Sequence, residues 1–202
     1  MKAPEPVTLE GRHVRLEPLS AVHLPALMEA GAEDESVFTF VAMNPLVMGW
    51  ESWLAEALTG QAKGAYLPWA TVLRETGHAI GSSRFGDIEP AHGRVEIGWT
   101  WLGKRYQRTA ANTEAKLLQM RYAFEDLGAT RVGFKTDGRN EQSQRALEGI
   151  GAAREGVLRR QMRMPDGFIR DTVYYSVIAE EWPAVRERLE ARLGSRLEQQ
   201  PT

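Results

Sequence analysis

One segment of the chain carries residue types whose spacing could do chemistry. A strand is predicted at 93–102, a basic turn follows, and small polar residues open a long helix near 109. The N-terminus of a helix presents free N–H groups and about half a positive charge, so it can bind phosphate oxygens. The small side chains of Thr109, Ala110 and Ala111 would let the backbone approach such a ligand closely. The alternative is a solvated basic turn before a surface helix.

Several other chemistries are excluded by what the chain lacks. It contains no cysteine, which removes disulfides, thiolate metal sites and a cysteine nucleophile. The four histidines do not have the spacing of metal ligands, so no metal is expected. Residues 81–86 lack the spacing of a serine-hydrolase elbow. Gly149 and Gly151 follow a predicted helix rather than a strand, unlike a dinucleotide-binding fingerprint.

Length and charge favour a soluble, cytoplasmic protein of one domain. The 202 residues suit a single domain, 1–202, with a core at about 8–193 and a frayed tail from Gly194. The 25 Lys and Arg residues against 27 Asp and Glu residues give a net charge of −2, which argues against a nucleic-acid partner. The longest apolar stretch, 38–50, is too short to span a bilayer, and no signal peptide is indicated, so no membrane partner is expected.

Hydrophobic periodicity predicts strands and helices on both sides of the basic turn. The predicted strands are 12–17, 66–74, 78–88, 93–102, 132–136, 156–164 and 168–178. The predicted helices begin after Ser20, at 50, at 111, after Asn140 and at Glu181. Runs of strands with interspersed helices indicate a mixed α+β fold rather than a doubly wound repeat.

The turn and helix near 109 resemble a known family. The run QRTAAN at 107–112 is similar to the pyrophosphate-binding motif Q/R-x-x-G-x-G/A of the GNAT superfamily of N-acetyltransferases. The run NTEA at 112–115 matches the RimJ/RimL-like branch, and 140–143 matches that branch's N-x-x-S segment. The resemblance covers about 8–183. It implies a central mixed, mostly antiparallel sheet that is splayed between its fourth and fifth strands and flanked by helices.

The resemblance implies acetyl-CoA as the co-substrate. Its pantetheine arm would follow the strand that ends at Trp101 and Leu102, where a backbone N–H would polarise the thioester carbonyl. Its pyrophosphate would lie over 107–113. Asn140 would hold the arm, and Ser143 would protonate the sulfur. The implied cofactor-binding residues are Trp101, Leu102, Gln107, Arg108, Thr109, Ala110, Ala111, Asn112, Thr113, Asn140 and Arg145, and the implied catalytic residues are Asn140 and Ser143.

Three positions depart from the family pattern. Ala110 replaces the usual glycine, so helical rather than left-handed backbone is expected there. Asn112 stands where glycine or alanine is usual, and Leu147 replaces a frequent general-acid tyrosine. The hydroxyl of Ser143, or water, must then protonate the thiolate. For Asn140 and Ser143 an ordinary helix cap is the alternative role.

The general base is left open by the sequence. Glu96, Asp87 and Glu89 lie on predicted strands near the cleft, and a chain of waters could relay the proton instead. Asp171 and Tyr175 share one face of a later strand. A structural hydrogen bond is favoured for Tyr175, while Asp171 could bind the ammonium group of an acceptor.

The predicted function is transfer of an acetyl group from acetyl-CoA to a primary amine, on a protein N-terminus or a small molecule, by direct attack in a ternary complex. The alternatives are a non-enzymatic CoA-binding or regulatory module and transfer of another acyl group such as succinyl. A nucleic-acid role would need Arg159, Arg160 and Arg163 to form a patch, and a bland polar strand face explains them better. A homodimer is an open possibility.

Overall fold

The computed structural model describes residues 1–197, in which eight strands form one sheet with six α-helices packed around it. The strands are β1 Leu9–Glu10, β2 Val14–Pro18, β3 Leu67–Leu73, β4 Ala79–Glu89, β5 Arg94–Leu102, β6 Arg131–Asp137, β7 Ala153–Arg163 and β8 Ile169–Ile178. The helices are α1 Leu24–Ala32, α2 Pro45–Met48, α3 Trp50–Ala62, α4 Ala110–Arg121, α5 Glu141–Ile150 and α6 Trp182–Leu197. The predicted tail begins inside α6 at Gly194, and 198–202 lie outside the described residues.

The sheet has the order β1-β2-β3-β4-β5-β6-β8-β7, and all neighbours are antiparallel except β5 and β6. The parallel pair is short, because its register runs only from Arg94 opposite Arg131 to Glu96 opposite Gly133. Beyond that point the two strands diverge. Because β5 and β6 are the predicted fourth and fifth long strands, the predicted splay and the mixed α+β class are confirmed.

The sheet separates two hydrophobic clusters. On one face, β5 contributes Val95 and Ile97 to a core that includes α4 and α6. On the other face, Trp101 of β5 packs with residues of α1 and α3. One apolar stripe of each helix contacts the first cluster: Leu117, Met120, Phe124 and Leu127 in and after α4, and Trp182, Val185, Leu189 and Leu193 in α6.

Helix α4 is the central helix of the larger core. Thr109 caps it, since its Oγ1 accepts the N–H of Ala111 at 3.2 Å. After Arg121 the chain adds one wider π-helical turn before Gly128, whose φ of 71° ends the helix. Glu114, within α4, accepts backbone N–H groups at the start of β2 and so fixes that strand to the helix.

The structure differs from the prediction in two segments. Residues 32–50, where no separate helix was predicted, contain α2. Asn44 caps this helix, since its Oδ1 accepts the N–H of Leu46 at 2.8 Å. Strand β7 begins at Ala153, three residues before its predicted start, because pairing with β8 extends it. Among the described helices, none has the length and apolar character needed to cross a membrane.

Candidate active site

The candidate active site begins where β5 and β6 part. Beyond Glu96, the edge of β5 that faces β6 has no strand partner, so the backbone groups of 97–102 on this edge that no side chain already binds are available to a ligand. Side chains donate to the carbonyls of Gly98 and Leu102. On its other edge β5 carries a bulge. Ser82 pairs with Trp101 and Arg84 with Gly98, so two residues of β5 lie opposite the single residue between them in β4.

The bulge places one residue of β5 in an uncommon conformation. Trp99 has a φ of 50°, in the left-handed region, which is strained for a bulky side chain. Its ring lies against Tyr66, with the ring centroids 5.1 Å apart, and also covers Gly86, where a Cβ would lie 2.4 Å from the indole. The bulge is therefore held in place by side chains on the face opposite α4.

The two predicted residues at the end of β5 can serve a ligand only through their backbone. The indole of Trp101 is buried and packs against Phe38 and Trp50, with ring centroids 4.8 and 5.8 Å apart. The side chain of Leu102 is buried in the core around α4. Both residues nevertheless lie in the part of β5 that does not pair with β6. A backbone N–H must lie there if it is to polarise the thioester carbonyl.

The N-terminus of α4 has the geometry expected of an anion site. Ala110 is the first helical residue, so its backbone is helical, and the left-handed position is instead Arg108, with a φ of 61°. Ala111 is buried, whereas Thr109 is exposed beside the first turn. The carboxamide of Asn112 has a buried Oδ1 with no partner in the described structure. Thr109 Oγ1 binds the N–H of Ala111, and the other N–H groups of the first turn have no acceptor within the helix.

Of the three cations in the turn before α4, one is unpaired. Lys104 binds Asp34 at 3.1 Å, and Arg105 forms an ion pair with Glu33. Arg108 has no ion-pair partner in the part of the chain that the structure describes, and its side chain is exposed. Arg108 is therefore the cation of this turn that is available to a phosphate.

A side-chain bridge crosses the mouth of the splay. Gln107 donates from Nε2 to the carbonyl of Leu102 at 3.3 Å, and its Oε1 accepts from Nε2 of Gln142 at 3.2 Å. Gln142 lies in the first turn of α5, so the turn before α4 and the start of α5 meet here. This contact brings the two predicted motifs, 107–113 and 140–143, to the same end of the sheet.

The N-x-x-S segment forms the cap of α5. Asn140 Oδ1 accepts the N–H of Ser143 at 3.0 Å, while Nδ2 of Asn140 makes no hydrogen bond to another described residue. Ser143 is half-buried and lies one turn before Leu147, on the face of α5 directed at the core. Arg145 is exposed and pairs with Glu141 at 2.9 Å. The cap role is thus present, and the side-chain groups that a ligand could use are Nδ2 of Asn140 and the hydroxyl of Ser143.

Glu96 and Lys135 lie where the splay begins, on the face opposite α4. Lys135 Nζ is 2.6 Å from Glu96 Oε2 and 2.5 Å from Asp87 Oδ2. Burial raises the pKa of the Glu96 carboxyl, and the hydrogen bond from Lys135 opposes that rise. The hydrogen bond that Lys135 gives to Asp87 lowers the pKa of Asp87. Glu89 is exposed and 4.0 Å from Arg94, so Glu96 is the one of the three predicted carboxylates that is buried beside the site.

Asp171 and Tyr175 have structural partners. Tyr175 is fully buried and donates its hydroxyl to Glu148 of α5 at 2.9 Å, which is the favoured structural hydrogen bond. Asp171 Oδ1 accepts the N–H of Arg160 at 2.7 Å and supports a bulge in β7, where Arg160 has a φ of 51°. Since Asp171 shares the face of Tyr175, it points to the α5 side of the sheet and away from Glu96.

The sequence analysis missed a buried polar network beneath the bulge of β5. Lys116 of α4 donates to Thr100 Oγ1 at 2.8 Å, and Thr100 Oγ1 lies 2.7 Å from Ser83 Oγ. The carboxamide of Gln119 completes the chain of contacts at Ser83. The available signal was two polar residues, Lys116 and Gln119, three apart in a helix next to apolar residues, but this spacing does not show that a side chain is buried. Among the described residues, no group of three or more His, Asp or Glu side chains could hold a metal ion.

Comparison with known proteins identifies the family. A sequence profile described as an acetyltransferase (GNAT) domain matches residues 13–153, which is more than half of the chain. The chain belongs to the GNAT acetyltransferase family. The predicted membership is thereby confirmed.

Three relatives illustrate this membership. A crystal structure of an acetyltransferase from T. thermophilus has 46% sequence identity, a TM-score of 0.83, and covers 94% of this chain and 98% of its own. The Bacillus subtilis (strain 168) protein "Putative ribosomal N-acetyltransferase YdaF" is 28% identical over 83% of this chain and 90% of its own length. Mycobacterium smegmatis RimJ, solved with CoA-disulfide, shares the fold with 22% identity, a TM-score of 0.81 and coverage of 95% and 97%.

This GNAT protein is an acetyl-CoA-dependent N-acetyltransferase. The residues present fit the co-substrate. The free edge of β5 offers backbone groups to an extended amide chain, and the N-terminus of α4 with unpaired Arg108 offers donors to phosphates.

Proposed function

We propose that the protein transfers the acetyl group of acetyl-CoA directly to the primary amine at the N-terminus of a protein, in a ternary complex. The observation that carries the proposal is the junction of the free edge of β5 with the N-terminus of α4, since a thioester and a pyrophosphate need these two kinds of donor. The name of YdaF, a ribosomal N-acetyltransferase, favours a protein amine over a small-molecule amine.

In this mechanism, backbone N–H groups polarise the thioester carbonyl, and side chains transfer the protons. When bound, acetyl-CoA supplies an activated acyl group. Backbone N–H groups at the bulge and the free edge of β5 polarise the carbonyl as the amine nitrogen bonds to the acyl carbon. The C–S bond then breaks, and the hydroxyl of Ser143 gives the departing thiolate its proton. Asn140 holds the amide chain through Nδ2, which has no partner among the described residues.

The amine must lose a proton, and Glu96 is the carboxylate we assign to this step. It lies at the start of the splay on the face opposite α4, and the pKa of its carboxyl is raised by burial towards the range of a useful base. Lys135 forms an ion pair with Glu96. Burial alone would lower the pKa of Lys135, but its hydrogen bonds to Asp87 and Glu96 outweigh this effect and raise that pKa to about 12. Lys135 therefore stays charged and fixes the orientation of Glu96.

The cofactor half of the proposal is tested by replacing the unpaired cation. Arg108→Ala should weaken acetyl-CoA binding by about 10-fold, because a phosphate loses a charge-assisted contact, with calorimetry giving the dissociation constant. Arg121→Ala, at the opposite end of α4 and paired with Glu190, is the matched control and should leave binding unchanged. Absence of binding by the unaltered protein at millimolar acetyl-CoA would refute the proposal.

The acceptor half is tested with peptides that differ only at their N-terminus. A thiol-release assay should show turnover with a free N-terminal amine and none with the same peptide already acetylated. In the same assay, a panel of small amines tests the small-molecule acceptors. Replacing acetyl-CoA with succinyl-CoA tests transfer of another acyl group. Binding of acetyl-CoA without turnover on any amine would instead support a regulatory CoA-binding module.

A further inference from the structure

Lys116 is a cation buried in the interior without a counter-charge. It lies in the middle of α4, where residues 114–120 are all buried, and its side chain is directed at β5. No carboxylate of the described residues lies within ion-pair distance, and its one hydrogen bond is to Thr100 Oγ1 at 2.8 Å. Burial lowers the pKa of Lys116 to about 7. Such a group weakens the folded state in either form, through desolvation or through loss of its proton.

Packing does not explain why an amine is at this position. A methionine would fill nearly the same volume with no desolvation cost, as Met120 does one turn later on the same helix. Neither is Lys116 neutralising a carboxylate, since Glu114 is directed at the backbone of β2. The benefit that offsets the cost must therefore lie at the partner of Lys116, which is Thr100.

Thr100 belongs to the bulge that shapes the free edge of β5. It follows Trp99, whose left-handed backbone persists only if its surroundings hold it. On the α4 side, the surroundings are the hydrogen-bonded chain from Lys116 through Thr100 to Ser83, whose Oγ also contacts the carbonyl of Gly98 at 3.5 Å. Hydrogen bonds from Lys116 through Thr100 to Ser83 thus connect α4, β5 and β4 at the β5 bulge, next to the splay.

We propose that Lys116 is a positioning residue for acetyl transfer: through Thr100 it holds the β5 bulge so that the adjacent backbone N–H groups face the thioester carbonyl. This role rests on the proposed function, because it requires acetyl-CoA along β5. It is distinct from the proton transfers assigned to Glu96 and Ser143, since Lys116 touches neither the sulfur nor the amine in this scheme.

The test separates positioning from stability. Lys116→Met should raise the melting temperature, because the buried amine is removed, and should leave the acetyl-CoA dissociation constant within about 2-fold. It should nevertheless lower kcat by about 10- to 100-fold, because a donor to the developing oxyanion is misaligned. The carbonyl stretch of bound [1-13C]acetyl-CoA should move back towards its frequency in solution. Leu118→Met is the control: it changes a buried residue of α4 outside the network and should leave kcat and the carbonyl stretch unchanged.

Thr100 supplies a second, independent set of variants. Thr100→Val removes the hydroxyl that Lys116 binds and should reproduce the losses in kcat and in the carbonyl shift, whereas Thr100→Ser keeps the hydroxyl and should restore both. The double variant Lys116→Met/Thr100→Val should be no worse than either single variant, as expected for residues that act as one unit.

The possible results distinguish failure of the positioning role from failure of the proposed function. An unchanged carbonyl stretch and kcat in a folded Lys116→Met protein would overturn the positioning role even if acetyl-CoA binds and reacts. A protein that binds acetyl-CoA without turnover would disprove the proposed transferase activity, while the carbonyl stretch would still report on Lys116. Failure of the unaltered protein to bind acetyl-CoA would refute both proposals together.

Discussion

At the scale of single residues, Glu96 differs from the other two acidic candidates in burial and in its neighbours. Because burial raises the pKa of its carboxyl, acid should protonate it at a higher pH than an exposed carboxylate and so abolish its action as a base. Glu96→Gln should lower kcat by about 100-fold and remove the acidic limb of the pH–rate profile. Glu89→Gln, an exposed carboxylate paired with Arg94, is the matched control and should keep both.

Ser143 carries a separate prediction, on the leaving group. Ser143→Ala should lower kcat by about 10- to 100-fold, the low end of general acid catalysis, because a CoA thiolate can leave partly unaided. The acetyl-CoA dissociation constant should change little, since the cap formed by Asn140 uses the backbone N–H of residue 143 and not its hydroxyl. Turnover equal to that of the unaltered protein, in an assay limited by chemistry, would leave Ser143 with a capping role alone.

The residues that could be predicted are those whose signal is local. Asn140 is found as the cap that was its alternative role, because a cap is defined by the three or four residues after it. Lys116 could not be predicted, since its burial depends on elements that are distant from it in the chain: β2, β5 and α6 all pack against α4. The left-handed conformation of Arg108 was missed for a related reason: the motif directs attention to the glycine positions, and the turn is made one residue earlier than Thr109.

At the scale of elements, the β7–β8 hairpin gives a test of the acceptor role predicted for Asp171. Asp171 supports the β7 bulge, so Asp171→Ala should reduce the free energy of unfolding by about 1 kcal/mol through loss of one hydrogen bond. The Michaelis constant for the acceptor should not change. Asp171→Asn keeps an oxygen for the N–H of Arg160 and should retain the stability.

A clear kinetic result would reverse this assignment. If Asp171→Asn raised the acceptor Michaelis constant while its unfolding curve stayed that of the unaltered protein, the carboxylate would be binding an ammonium group. Denaturant unfolding and steady-state kinetics on the same preparation make the comparison.

Strands and helices were predictable where one face is apolar, and less so where tertiary pairing extends or bends them. The turn between β4 and β5 was located, because Gly93 adopts the φ of 65° that such a turn needs. The bulges at Trp99 and Arg160 were not, since neither residue type favours left-handed backbone. A bulge is set by the register between two strands, and a single strand's sequence does not encode that register.

At the scale of the whole molecule, the two faces of the sheet carry different parts of the candidate site. The α4 face provides the buried network under the bulge and the helix N-terminus that we propose as the phosphate site. The opposite face provides Glu96 and Lys135, and it also carries the second hydrophobic cluster, in which Trp101 packs against Phe38 and Trp50. The splay between β5 and β6 is where both faces are open to one ligand, so an acyl donor and an amine can meet there from opposite sides.

The buried amine of Lys116 should also leave a signature in the stability of the entire fold. Its pKa is about 7 in the folded protein and about 10.4 in an unfolded chain. Between these values the unfolded state binds the extra proton, so the free energy of unfolding should rise with pH, by at most about 1.4 kcal/mol per pH unit. Below pH 7 the amine is charged in both states, and its full desolvation cost remains.

Comparison with Lys116→Met isolates this contribution from the other titrating groups. The variant should be more stable than the unaltered protein near pH 6 to 7, and the difference should shrink steadily towards pH 10, because neutral Lys116 no longer penalises the folded state. Denaturant unfolding of both proteins across this range measures the difference. A difference that stays constant from pH 7 to 10 would mean that Lys116 keeps its proton when folded, and that its charge is stabilised by more than the hydroxyl of Thr100.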